Sequence, residues 1–216
     1  MNDGSTAGSG RPPGRRPKGV VRSGLIQAGV ELAQAGGPDA VTLREATRMV
    51  GVAPNAASRH FADRDALLAA VCLAAMRLLV ERMEHELSLV RTRRGTGRGA
   101  TDRLAAVGTA YLGFAAAEPG LFDTIFAVPG HLRFGAGHPD GGAPERTPLQ
   151  VLGEVLDELV TADVLPAARR PSAEFTVWSC VHGLAVLRNH GPLRDLPEAA
   201  SAALAAGLHA FILRGL

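Results

Sequence analysis

Residues 42–61, TLREATRMVGVAPNAASRHF, constrain this chain more than any other stretch, because they read as two short helices meeting at Gly51. Thr42 followed three residues later by Glu45 has the spacing of a capping box, in which the hydroxyl accepts from a free backbone N–H and the carboxylate reaches back to the Thr amide. Leu43, Ala46 and Val50 then recur on one helical face, and Gly51 supplies the left-handed residue that ends a helix without a Cβ penalty. Val52 fills the turn, Ala53 stands at the cap position and Pro54 takes the first helical position, where its missing N–H costs nothing. A second helix is predicted from Pro54 to about His60. Its outer face carries Asn55, Ser58, Arg59 and His60, short donors and one guanidinium suited to base edges and phosphates in a major groove. The pattern is a helix-turn-helix.

Charge is distributed to match. Residues 1–65 hold nine Lys/Arg against six Asp/Glu (+3), and residues 66–216 hold fourteen against fifteen (−1), which together give the net +2 of the whole chain. The cationic end is the motif end, as expected of a nucleic-acid module joined to a domain with no such task. At 216 residues the chain suits that module plus one domain of about 150 residues. Cys72 and Cys180 lack CxxC spacing, so neither a zinc site nor a redox pair is expected. No apolar run approaches the ~18 residues of a spanning helix and the first ten residues do not make a signal peptide, so a soluble cytoplasmic protein is expected.

Three regions are predicted along the chain: a disordered basic arm over 1–17, a helix-turn-helix domain over 18–66 and a larger helical domain over 67–216. The arm is nearly devoid of apolar residues. Its Arg11, Arg15 and Arg16, with Lys18, either reach a minor groove or phosphates or form a solvated tail. The first helix is predicted from about Lys18 to Ala35, with Val21, Leu25, Gly29 and Leu32 on one face and Gly36-Gly37-Pro38 stopping it. A long amphipathic helix follows over about 63–90, where Leu68, Cys72, Met76, Leu79, Met83, Leu87 and Val90 recur at three- and four-residue steps. RTRRGTGRG (91–99) reads as a polar linker. Further helices are predicted over 101–117, 119–127, 148–163, 172–189 and 197–214, with a glycine- and proline-rich loop at 129–147 and no strand. The fold class is all-α.

Read with its flanks, the motif resembles the DNA-binding domain of the tetracycline-repressor (TetR) family of transcriptional regulators over roughly residues 20–72. SGLIQAGVELAQAGG resembles that family's first helix, VTLREATRMVGVA its second helix and turn, PNAASRHF its recognition helix and ADRDALLAAV the start of its long fourth helix. VWSCVHGLAVLRNHG (177–191) resembles a Trp, His, Gly motif in the ligand-binding domain of one branch of the family. Three positions depart from the usual pattern: Ala53 stands where a Ser or Thr cap is common, Ala57 where a core Leu is common, and Ser58 where a phosphate-binding Tyr is common.

The resemblance implies DNA contacts from Thr42, Arg44, Pro54, Asn55, Ala56, Ser58, Arg59, His60 and Arg64. Arg59 would read bases, while Thr42, Arg44, His60 and Arg64 would hold phosphates; Asn55 either reads adenine or caps its helix. The implied partners are a near-palindromic double-stranded operator, a second copy of the chain and a small, largely apolar ligand. The alternative is a helical interaction module that has lost specific DNA binding, which the three departures keep open.

Eight of the nine aromatics lie between Tyr111 and Phe211, so the larger domain has the material for an apolar cavity. Met76, Tyr111, Phe114, Phe122, Phe126, Trp178 and His182 are its candidate lining, with Met83 beside them. Each reads more readily still as ordinary core, and His182, four residues beyond Trp178 on one face, as a histidine held by a backbone carbonyl. The last helix carries a small-residue stripe (Ala199, Ala203, Ala206, Gly207) that either pairs with 172–189 across a two-fold axis or closes its own core. Catalysis finds no support. His131, His138 and Asp140 lie in the glycine-rich loop without a rigid element to hold a metal. The neighbours Asp157 and Glu158 point about 100° apart on a helix, and Ser23, Ser172 and Ser179 lack the turn that exposes a nucleophile. No cofactor, metal or enzymatic activity is expected.

Overall fold

In a computed structural model, which describes residues 18–128 and 146–216, the amphipathic periods of the sequence become nine α-helices, one short 3-10 helix and, among the described residues, no strand. The helices are α1 (Lys18–Ala40), α2 (Leu43–Val50), α3 (Pro54–Ala57), α4 (Arg64–Leu89), α5 (Gly97–Ala117), α6 (Pro119–Phe126), α7 (Pro148–Thr161), α8 (Ala173–Asn189) and α9 (Glu198–Gly215); the 3-10 turn is Ala167–Arg169. The arm at 1–17, with Arg11, Arg15 and Arg16, and the loop residues His131, His138 and Asp140 lie outside the described residues.

Local chemistry explains most boundaries. The Thr42 hydroxyl accepts from Glu45 N at 3.2 Å and opens α2. The box is only half made, however: the Glu45 carboxylate turns outward to Arg48, whose Nε donates to it at 2.7 Å. A complete box forms instead at Thr147 and Gln150, at the start of α7, where none was predicted. Gly51 takes φ 69° and ψ 41°, the left-handed cap, and its N–H bonds back to the carbonyls of Thr47 and Arg48. α1 breaks at Gly36 and Gly37, where the stop was predicted, and Pro38 begins one further turn.

Two expectations need correction. The recognition helix closes after Ala57, and Ser58–His60 continue as a turn whose N–H groups at His60 and Phe61 bond to the Ala57 carbonyl. The fifth helix starts at Gly97, not 101, because Thr96 caps it by accepting from Gly99 N at 3.0 Å, so the polar linker shrinks to a few residues.

α1 lies across α4 and α6, α2 packs on α1, and α4 runs on to α5 and α7; α8 and α9 close the far side against α5. One contiguous apolar core results. It passes from Leu25, Val41 and Phe61 through Leu67, Val71 and Leu79 to Phe122, Ile125, Leu156 and Leu159. At 26 residues α4 is ~39 Å long at ~1.5 Å per residue and belongs to both regions, so the predicted division at 66 and 67 falls inside it. α6 also touches the helix-turn-helix part directly. A Cβ built on Gly120 would stand 2.1 Å from the Ala33 carbonyl oxygen, so the backbone of α6 rests on the last turns of α1 with no side chain between them.

Candidate functional site: a nucleic-acid interface and a cavity

The helix-turn-helix presents Arg44, Asn55, Ser58 and Arg59 exposed and Thr42, Ala56 and His60 half-buried. The Thr42 hydroxyl spends its oxygen on the cap of α2 and keeps its own proton for a donor bond outward. Pro54 opens α3, as predicted. Ala57 is buried in the core slot of the motif. Arg22, which the sequence reading did not single out, places its guanidinium 5.4 Å over the Phe61 ring.

Arg64, whose side chain is 40% exposed, is also tied to the backbone behind it, a role the sequence reading did not give it beside the one expected on phosphates. Its Nε donates to the Val41 carbonyl at 2.9 Å and one terminal nitrogen to the Pro38 carbonyl at 2.6 Å, which ties the α1–α2 junction to the start of α4, while the other terminal nitrogen lies 3.8 Å from Asp65. Arg64→Ala is therefore expected to lower folding stability by about 1–2 kcal/mol through the loss of these bonds, read as a shift in the urea midpoint. Unchanged stability with weaker DNA binding would leave Arg64 with the phosphate role alone.

The larger domain contains a cavity of about 1210 Å³ bounded by α4, α5, the end of α6, α7, α8 and α9. Of the candidates named from the sequence, Met76, Met83, Tyr111, Phe126 and Trp178 lie on its wall. Phe114, Phe122 and His182 do not: Phe114 and Phe122 are buried in the core, and His182 is set back among the rings of Tyr111, Phe122, Phe126 and Trp178. The aromatic cluster is two layers deep, and only the outer layer meets the cavity. The sequence reading also missed the contribution of α9, including Leu208, His209 and Ile212, and that of Arg188 on α8. The seven-residue step from Val181 to Arg188 along one helical face was the available signal.

The Trp, His, Gly motif is held by a hydrogen-bonded chain. Trp178 Nε1–H donates to the Tyr111 oxygen at 3.0 Å, and the Tyr111 oxygen lies 2.9 Å from His182 Nδ1. The indole can only donate, so the Tyr111 oxygen accepts from it, and the Tyr111–His182 bond completes the chain with its direction set by the imidazole tautomer. Burial pushes the His182 pKa down, favouring the neutral ring, and the Tyr111 pKa up. Tyr111→Phe would strand both the indole N–H and Nδ1. The expected cost is about 1–3 kcal/mol of stability, read as a lowered melting temperature. A variant that melts like the parent would show that the chain is not structural.

The remaining charges bind the scaffold. The buried Arg103 makes a bidentate ion pair from α5 to Glu158 on α7, its Nε donating to Oε2 at 2.6 Å, and Glu158 also accepts from Gly95 N at 3.3 Å. Asp157 instead faces Arg170, at 2.6 Å, so these neighbouring carboxylates serve separate pairs. Cys72 Sγ donates to the Thr124 carbonyl at 2.8 Å, and burial pushes its thiol pKa up to about 11, far from nucleophilic use. Among the described residues no cluster of His, Cys, Asp or Glu is suited to a metal, and no helix is long and apolar enough to cross a membrane.

Comparison with known proteins gives the site its context. Residues 25–71 match the bacterial regulatory proteins of the tetR family, and residues 104–211 match the tetracyclin repressor-like C-terminal domain, a stretch that includes Trp178, His182 and Gly183. No curated protein matches the chain in sequence. Among solved structures, a protein of unknown function from Rhodococcus sp. RHA1 is 23% identical, with a TM-score of 0.70 over 91% of this chain and 95% of its own. The transcriptional regulator FadR from Bacillus subtilis, solved in complex with stearoyl-CoA, is 15% identical, with a TM-score of 0.60 over 90% and 98%. A TetR regulator from Streptomyces coelicolor is 18% identical, with a TM-score of 0.55 over 90% and 92%. The half of the sequence matched by the C-terminal description, the separate match over the helix-turn-helix, and an all-helical fold shared along nine-tenths of the chain place this protein in the tetracycline-repressor family of DNA-binding transcriptional regulators.

Proposed function

We propose that the chain is a homodimeric repressor, acting in the cytoplasm, whose hold on a near-palindromic operator is released by a small, largely apolar molecule. One observation carries this reading. α4 starts at the helix-turn-helix, where Arg64 ties it to the α1–α2 junction, and Leu73, Met76, Leu79 and Met83 farther along the same helix line the cavity. A ligand that fits one placement of α4 better than another shifts the spacing of two recognition segments away from the ~34–36 Å that successive major grooves require. Arg59, exposed at the close of the recognition segment, is the base-reading side chain of the proposal, with Thr42, Arg44 and His60 on phosphates and Asn55 and Ser58 beside them. The FadR structure in complex with stearoyl-CoA supports a ligand with a long hydrocarbon chain for a regulator of this fold.

The second copy is supported by what α8 and α9 leave outside. Phe211 is 62% exposed and Leu187 43%, beside the exposed Leu204, Ala203 and Gly207. Large apolar side chains on two adjacent helices, interleaved with small ones, make a surface suited to close helix packing. Ala203→Glu would place a carboxylate between those helices and is expected to weaken association by several kcal/mol. Sedimentation that still finds a dimer would move the interface elsewhere.

The deciding experiment is a footprint on the DNA just upstream of the chain's own coding region, repeated with apolar ligands. Protection of two half-sites that a ligand removes is the expected result. Retention on DNA with no preference for any sequence would favour the interaction module over the regulator.

A further inference from the structure

The cavity is long as well as large. Its lining runs along α8 from Glu174 to Arg188 and along α9 from Glu198 to Ile212, a span of ~21 Å on each helix at ~1.5 Å per residue. Its volume of about 1210 Å³ exceeds the ~300–1,000 Å³ usual for ligand pockets. Most of the walls are aliphatic, from Leu79, Leu104, Val107, Leu152, Val181 and Leu208, while the aromatic rings gather around Trp178. The length and the aliphatic lining suit an extended hydrocarbon chain better than a planar ring system.

One end of the cavity is charged. Of the three arginines along the wall, Arg146 is ion-paired with Glu84 and Glu154, and Arg77 has a partner. Arg188 is half-buried and has no hydrogen bond or ion pair among the described residues. Glu198, on the first turn of α9, lines the cavity too, but it is exposed and lies beyond ion-pair distance of Arg188. A half-buried guanidinium loses more by going unpaired than an exposed, hydrated carboxylate does, so this end favours an anion.

Resting on the reading of the chain as a ligand-responsive regulator, we infer that the cavity takes an unbranched aliphatic carboxylic acid, its chain along α8 and α9 and its carboxylate on Arg188. Arg188 stands in the last turn of α8, where a cation also stabilises the helix terminus; ligand selectivity is the property that this second role does not produce.

Trp178, the chain's single tryptophan, lines the cavity and reports binding by its own fluorescence. The full chain is titrated with octanoate, decanoate and dodecanoate below micelle formation, with the matching 1-alkanols, with dodecanoyl-CoA and with anthracene-2-carboxylate. Affinity is expected to rise about fourfold per added methylene, and each acid to bind roughly tenfold more tightly than its alcohol. Arg188→Gln should abolish the preference for the acid and keep the chain-length slope, and Arg188→Lys should retain the preference. Tightest binding by the planar acid, a flat response to chain length, or acid and alcohol binding alike in the parent chain would overturn the inference. So would stronger binding of dodecanoyl-CoA than of dodecanoate. The acid and alcohol series on the parent chain decides the matter even if Arg188→Gln fails to fold. Operator release is measured in parallel. Acids that bind with the expected slope and leave the DNA complex intact would sink the ligand-responsive reading alone, and release by other compounds without acid binding would sink the ligand class alone.

Discussion

Arg103→Met is expected to destabilise the protein by about 3–5 kcal/mol, the usual cost of removing one member of a buried ion pair and leaving the other. The Arg103 side chain is 3% exposed and that of Glu158 19%, and the guanidinium satisfies both carboxylate oxygens. Glu158 also holds the Gly95 N–H, so its loss from position loosens the entry to α5. The pair has a pH signature as well. Its bonds to Arg103 hold the Glu158 carboxyl below the ordinary value, about 4.3 for an unperturbed Glu. The stability it contributes is complete above that ordinary value and is lost as pH falls through the depressed one. Urea unfolding of parent and variant across pH 2–7 should therefore show curves that lie apart at neutral pH and converge in acid. A constant gap would mean that the destabilisation comes from packing alone.

Phe122→Ala is expected to cost a further 3–5 kcal/mol in its own right, because the ring is 1% exposed and packs edge-on against both Tyr111, at 5.6 Å, and Phe126, at 5.2 Å. The contrast with Trp178 decides the layering of the site. Trp178 is half-buried and lines the cavity, so Trp178→Ala should weaken ligand binding more than it lowers the melting temperature, whereas Phe122→Ala should do the reverse. Calorimetric melts paired with ligand titrations test this. Equal ligand losses in the two variants would put Phe122 on the cavity wall after all.

The helix-turn-helix was legible because its signals are local. Thr42, Gly51 and Pro54 each do one backbone job within a single turn, and those jobs are done where the sequence placed them. What failed there also failed for a local reason: Glu45 had a nearer partner in Arg48 than the Thr42 amide. The backbone tie made by Arg64 was not legible, because nothing in its neighbourhood announces the carbonyls of Pro38 and Val41, which lie 26 and 23 residues away. The cavity shows the same limit. The concentration of aromatics in the larger domain put Tyr111, Phe122, Phe126, Trp178 and His182 on one list, helical spacing paired Trp178 with His182, and the rings do meet. Periodicity gives a face and not a depth, however, so it could not tell the wall from the layer behind it, nor show that α9 and Arg188 complete the enclosure.

Gly120 gives the joint between the two regions a mechanical character. Most helix contacts are cushioned by side chains that change rotamer under load, but here peptide bears on peptide, the α6 backbone against the Ala33 carbonyl. The joint has almost no compliance in compression, since close-packed interiors yield little, and the Gln34 amide donating to Glu118 at 3.1 Å spans it in tension. A push of a few tenths of an ångström on α6 thus arrives at α1 undamped. The sensitivity of such a joint depends on the stiffness of what surrounds it and not on the size of the molecule that delivers the push.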